Sequence, residues 1–290
     1  MVGERDILAL GDLDGSEILG MLARAQELAA CWQAREMPQT LAGRRIGLVV
    51  DDGGWRNTTA FDLGVQSMGG LCVHAPIRLN GTEAVEDLAA YLDNWFDAVV
   101  CRTPELEMLY ALSHWAQAPV VNARTRQNHP CETLGDLAFL MHRRSAIEGL
   151  KIAVVAPAAN ILGSWIEAAQ VLPIDIVQVY PARWHAPGDS PRFRVATDLG
   201  ELQDADVIIT DCWLGDDDSG DLQAYQITAA LLDGLRPDLD FLPCPPVTRG
   251  HEVSADAMLH RACRVVQAKA FLLHAQNAAL EWVFDRGGDR

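Results

Sequence analysis

The stretch DDGGWRNTTAF, residues 51–61, lies between an apolar run, RIGLVV, and an amphipathic one, FDLGVQSMGG. A strand, a glycine-containing loop and a helix start form an anion-binding device, because main-chain N–H groups point at the ligand and the helix dipole favours negative charge. This loop, however, opens with Asp51 and Asp52 and holds a single arginine, Arg56. Further residues of chemical interest recur at the ends of apolar runs. Arg102 closes DAVVCR, His129 and Glu132 lie in NHPCETLGDL, and Asn160 closes APAAN. Asp211 lies in TDCW, and Cys244 and Arg249 lie in PCPPVTRG. Arginine and neutral histidine can polarise a developing oxyanion, and a carboxylate can hold an N–H group or act as a general base. Each residue also has a plainer reading. Arg56 would be a surface arginine, Arg102 half of a structural ion pair and Glu132 a helix cap. Cys244 would be a small packing residue, Asp211 an ordinary strand-end acid, and Trp55 a lid against a neighbouring subunit.

Periodicity supplies the elements that must position these groups. Helical spacing covers 14–36, with Ile18, Leu19, Leu22, Ala25 and Leu28 on one face. Strand-like runs follow at RIGLVV, LCVHAP, DAVVCR and PVVNA, separated by helical runs at FDLGVQSMGG, TEAVEDLAAYLDNW (with Thr82 as N-cap) and PELEMLYALSHWA. A long helix runs through CETLGDLAFLMHRRS, where Pro130 suits a first turn. A second series begins with KIAVVAP, NILGSWIEAAQVL and IDIVQVYP. It continues with a loop over 181–195, an acidic helical piece LGELQDA, strand DVIITDCW and a short strand at FLPCPP. The stretch RVVQ reads as strand-like ahead of a terminal helix, and GDDDSGD (215–221) as a solvated loop. Alternation of strand and helix, twice over, predicts an α/β protein of two doubly wound parallel-sheet domains with the active site in the cleft between them. The expected division is 1–141, joined by the C-terminal helix at about 266–285, and 142–265.

Bulk properties narrow the function. A net charge of -17 over 290 residues argues against nucleic acid and anionic membranes as partners. No apolar stretch approaches the ~20 residues that span a bilayer, and the acidic start lacks a signal-peptide core. The seven cysteines are scattered, without a CxxC pair, which fits a reduced, cytoplasmic protein.

Six segments fall in an order that resembles the aspartate/ornithine carbamoyltransferase family, its ornithine branch more closely. HPCETLGDL is similar to H-P-x-Q-x-L-x-D-L, and APAANIL to G-D-G-N-N-I/V. TDCW is similar to T-D-x-W, PCPPVTRGHEV to H-C-L-P-x-x-R-G-x-E-V, and LHAQNAAL to L-H-x-Q-x-A-L. The sixth, the opening stretch, takes the place of the carbamoyl-phosphate loop F-E-K-x-S-T-R-T-R. The likeness covers almost the whole chain, and implies small-molecule substrates, no cofactor and a homotrimer. It places Arg56, Arg102 and His129 at the donor, Asn160 and Asp211 at an amino-acid head group, and Cys244 near a side-chain amine. Arg249 lies in the matching R-G pair.

Against that pattern the donor loop is degenerate. The family serine is Gly54, the threonines are Trp55 and Asn57, and the second arginine is Thr58. The upstream lysine is Asp52, the glutamine is Glu132, and the arginine before L-H-x-Q is Leu272. These replacements lower the local charge by two at Asp52 and by one each at Thr58, Glu132 and Leu272, five in all. One unit charge at ~4 Å is worth ~1 kcal/mol in water and ~4 at an effective dielectric of 20. The expectation is a site hostile to carbamoyl phosphate, with Trp55 filling vacated space. Three functions fit: an enzyme joining an amino-acid amine to a different activated carbonyl-type donor, an ordinary ornithine-type carbamoyltransferase, or a non-catalytic ligand-binding or partner subunit.

Overall fold

A computed structural model describes residues 5–51, 53–188, 190–214 and 220–285. Asp52 and most of the acidic loop after Leu214 therefore lie outside the described residues. The chain divides into two compact units. One runs up to Arg143 and resumes from Lys269, and the other spans Arg144–Ala268.

In the first unit, α1 (Gly15–Ala34) precedes β1 (Arg45–Val50), α2 (Trp55–Ser67), β2 (Leu71–Ala75), α3 (Val85–Trp95), β3 (Ala98–Arg102), α4 (Leu106–Trp115), β4 (Val120–Arg124) and α5 (Pro130–Arg144). The strands form one parallel sheet in the order β2-β1-β3-β4. β1, β3 and β4 are runs of apolar, largely β-branched residues, buried along most of their length, as expected when helices cover both faces of a parallel sheet.

In the second unit, β5 (Lys151–Val155), α6 (Asn160–Val171), β6 (Asp175–Val179), β7 (Phe193–Ala196), β8 (Val207–Thr210), α7 (Ala229–Asp233) and β9 (Asp240–Pro243) build a parallel sheet in the order β7-β6-β5-β8-β9. α8 (Val265–Phe284) closes the chain. Among the described residues no helix is long and apolar enough to cross a membrane.

Four local expectations are corrected. The helix after the glycine loop starts at Trp55, so Trp55–Thr58 form its first turn rather than a loop. The third helix is capped by Ala84, without a side-chain bond, and not by Thr82. β7 begins inside the span read as loop and adds an edge strand beside β6. The run RVVQ enters α8 at Val265 and supplies its first turn, with Val266 77% exposed.

Candidate active site

The first unit gathers its candidates at the carboxyl edge of β1, β3 and β4. Val50 and Arg102 are register partners at the ends of β1 and β3, and Arg102 pairs onward with Arg124 at the end of β4. The loop before α2 is therefore held beside Arg102. The Asp51 N–H donates to the Arg102 carbonyl at 2.9 Å, and the Thr103 hydroxyl donates to Asp51 Oδ2 at 2.7 Å. Arg102 Nε donates to the Gly53 carbonyl. Gly54 has φ +131°, and a Cβ built there would lie 2.6 Å from Arg102 Nε and 2.8 Å from its Nη2. Glycine at 54 thus permits both a backbone conformation that side chains rarely adopt and the close approach of the guanidinium.

Trp55 does not fill the vacated space: it is 66% exposed, and the Arg56 guanidinium stacks 4.9 Å from its ring centroid. Thr58 Oγ1 donates back to the Trp55 carbonyl at 3.2 Å, so its hydroxyl serves its own helix. Asn57 is buried against α8, and its carbonyl accepts from Gln276 Nε2 at 3.4 Å. Leu272 is also buried, its backbone packed on Gly135 of α5, where a Cβ would meet the Leu272 Cα at 3.1 Å.

α5 begins at the same edge, with His129 immediately before it and Glu132 in its first turn. Burial pushes the His129 imidazole down to about 3, against the pull of Glu132, so the ring is neutral at pH 7. Its Nε2 lies 3.9 Å from Glu132 Oε2. Glu132 does not stand alone. Lys269 Nζ, from α8, lies 2.6 Å from Glu132 Oε1 and 2.7 Å from Asp136 Oδ1. Burial alone would raise the Glu132 carboxyl, but the nearby Lys269 ammonium, with Arg102 adding to it, brings it below its ordinary value. Asp136 behaves oppositely: burial, helped by Glu132, pushes it up to about 6 despite Lys269. Beside the negative charge that Glu132 brings stands one ammonium, Lys269, shared with Asp136 and passed over by sequence reasoning. Its signal was faint: one of two lysines in the chain, one helical turn before Leu272.

In the second unit, three candidates meet at the carboxyl edge of the adjacent strands β5, β8 and β9. Asn160 is the first residue of α6, following β5, and is buried. Asp211 follows β8, with Oδ1 accepting from the Cys212 N–H at 2.8 Å. Cys244 follows β9, is buried, and donates its N–H to the Thr210 carbonyl at 2.9 Å. Arg249, by contrast, is exposed in a turn bridged to Val253. Sequence reasoning also passed over Glu252. It is buried, its Oε1 accepts from the Thr248 N–H at 2.7 Å, and Oε2 has no hydrogen-bond partner among the described residues. Burial, with Asp211 and Glu252 adding negative charge nearby, pushes the Cys212 thiol up to about 11. This edge is acidic and suits a group rich in N–H donors. A cavity of about 340 Å³ at the amino ends of β5–β7 is less suited, because its Arg192–Asp175 and Arg194–Glu201 pairs satisfy one another.

Comparison with known proteins agrees with this geometry. Residues 5–142 match the family described as Aspartate/ornithine carbamoyltransferase, carbamoyl-P binding domain, and residues 148–283 the one described as Aspartate/ornithine carbamoyltransferase, Asp/Orn binding domain. The ornithine carbamoyltransferase of Bradyrhizobium diazoefficiens is 27% identical over 299 residues, covering 97% of both chains. That of Acinetobacter baumannii is 28% identical over 302 residues, with the same coverage. Among solved structures, the ornithine carbamoyltransferase from Pyrococcus furiosus superposes with a TM-score of 0.90 at 26% identity, covering 99% of this chain and 98% of its own. The aspartate transcarbamoylase from Trypanosoma cruzi shares the fold, with a TM-score of 0.84 at 18% identity over 97% of this chain and 96% of its own.

Proposed function

Because the chain belongs to the aspartate/ornithine carbamoyltransferase family, matched over both family domains, we propose that it is a transferase joining an amino-acid amine to an activated carbonyl-type donor other than carbamoyl phosphate. The first unit would hold the donor and the second the amino acid. Attack of the neutral amine on the donor carbon forms the new C–N bond and places charge on the carbonyl oxygen. Arg56, Arg102 and the neutral His129 would donate N–H bonds to that oxygen. The leaving group departs with the bonding pair and takes up the proton that the amine nitrogen loses. Asn160 and Asp211 would hold the acceptor's head group, and Cys244 would lie beside its nucleophilic amine.

The reading rests on the state of the donor loop. Positions 54 and 55 carry no hydroxyl, Thr58 spends its own on the Trp55 carbonyl, and Arg102 is turned onto the Gly53 carbonyl. Calorimetry with carbamoyl phosphate, inorganic phosphate and a panel of basic amino acids tests it. The expected result is an amino-acid isotherm together with carbamoyl phosphate binding weaker than millimolar. Micromolar carbamoyl phosphate binding with carbamoylation of ornithine would make the protein an ordinary ornithine-type enzyme. Silence toward every ligand would favour a non-catalytic family member.

We further place the protein in the cytoplasm as a homotrimer. The exposed apolar residues Leu63 of α2 and Leu71 and Val73 of the edge strand β2 support a partner on that face. Light scattering at micromolar concentration that returned a monomer would remove the trimer.

A further inference from the structure

We propose that Lys269 is a positioning residue for donor choice: bonded to both Glu132 and Asp136, it holds Glu132 as an oriented carboxylate beside His129, so that this subsite takes a group presenting N–H donors rather than one presenting an oxygen. The inference deepens the donor reading above and rests on it. Lys269, Glu132 and Asp136 are all largely buried, with side-chain exposures of 13%, 9% and 4%. An isolated buried carboxylate would take up a proton, because burial in a low-dielectric setting disfavours the charged form. The ammonium reverses this for Glu132, and its contact with Oε1 at 2.6 Å fixes one oxygen, leaving Oε2 on the His129 side. Two positions apart in the chain's logic are thus matched to each other. A glutamine at 132 would offer a neutral amide and leave Lys269 to Asp136 alone, whereas glutamate with Lys269 gives a charged acceptor. Groups facing Glu132 are His129 just before its helix, Cys131 and Asp136 within it, Lys269 from α8 and Arg102 from β3. The chemical class that fits is a planar, N–H-rich group, amidinium-like, with acetamidinium as its simplest probe.

The experiment compares the wild type with Lys269→Met, Lys269→Arg and the double variant E132Q/K269M. Glu132 ionisation is read from the carboxyl resonance of carbon-13 glutamate-labelled protein, assigned by its loss in Glu132→Gln. Acetamidinium and carbamoyl phosphate affinities are read by calorimetry. Lys269→Met should raise the titration of Glu132 and weaken acetamidinium about tenfold or more, the scale of one charge-assisted bond. Lys269→Arg should restore both. E132Q/K269M removes Lys269 together with Glu132 and leaves Asp136 as a buried acid that can take up a proton, so it keeps the test open if the single variant fails to fold. It should lose acetamidinium and bind carbamoyl phosphate about tenfold tighter than the wild type. Unchanged titration in a folded Lys269→Met, or wild-type affinities for both probes in the double variant, overturns the role of Lys269. Micromolar carbamoyl phosphate binding by the wild type overturns the donor reading instead, and the Glu132 titration then still decides the role of Lys269.

Discussion

The guanidinium of Arg102 occupies the space in which a side chain at position 54 would begin. The two residues belong to different elements, the end of β3 and the turn before α2, and each explains the other. Without a Cβ, Gly54 reaches φ +131° and admits Arg102, whose Nε then donates to the Gly53 carbonyl. The glycine at 54 and the turn of the arginine onto the loop are coupled in this structure.

Gly54→Ala is expected to destabilise the protein by about 1–3 kcal/mol, from strain at positive φ and from collision with Arg102. The collision part should vanish in an Arg102→Ala background and the strain part should persist. A double-mutant cycle from urea denaturation separates them. Equal costs of Gly54→Ala in both backgrounds would mean that Arg102 does not sit against Gly54.

Acid should unfold this protein early. Burial holds His129 at about 3 and His274 at about 4, both below the ordinary histidine value of 6.5. The unfolded chain therefore binds more protons than the folded one below pH 6.5, so stability falls as pH drops from there toward those values. Asp136, raised to about 6 from 3.8, acts with the opposite sign between about pH 4 and 6 and blunts part of the loss. Urea midpoints from pH 7.5 to 4.5 should decline, and the decline should be shallower in a folded His129→Asn. A midpoint that rises on acidification would contradict the neutral burial of both rings.

The strands and most helices were legible because their signals are local. RIGLVV, DAVVCR and KIAVV are short apolar runs bounded by turn residues, and the motif order fixed their succession. What escaped notice was non-local or weak. β7 is four residues long, half exposed, and follows a proline-rich loop. RVVQ has β-branched residues but lies at a helix start, where Val266 faces solvent and no strand period is imposed. The Lys269–Glu132 contact joins two helices far apart in sequence, and no local pattern announces it. Asn160, Asp211 and Cys244 were legible as strand-end residues, but only the sheet order β5-β8-β9 makes them neighbours.

Asp240 begins β9 fully buried, and its carboxylate accepts from Arg144 Nε at 2.9 Å, with Arg264 Nε 3.8 Å away. Removing one partner of a buried pair leaves the other's charge desolvated, which costs about 3–5 kcal/mol. Asp240→Ala should lower stability on that scale in chemical denaturation. A loss under about 1 kcal/mol would mean that Arg144 finds water when its partner is gone.

The acceptor edge carries the last prediction. Asn160, Asp211 and Cys244 follow three adjacent parallel strands, and the buried Glu252 lies near Asp211 around Cys212. Two carboxylates and an amide at one sheet edge favour an ammonium over a carboxylate, so basic amino acids should bind better than acidic ones. Asp211→Asn keeps the shape and removes one charge. A hydrogen bond to a charged group is worth about 1.5–3 kcal/mol, so the affinity for a bound basic amino acid should fall by roughly ten- to hundredfold. Asn160→Ala should cost less, because a neutral bond is lost. Calorimetry with ornithine, lysine and aspartate checks the order. Tighter binding of aspartate, or an Asp211→Asn protein with wild-type affinity for ornithine, would remove Asp211 from the acceptor site.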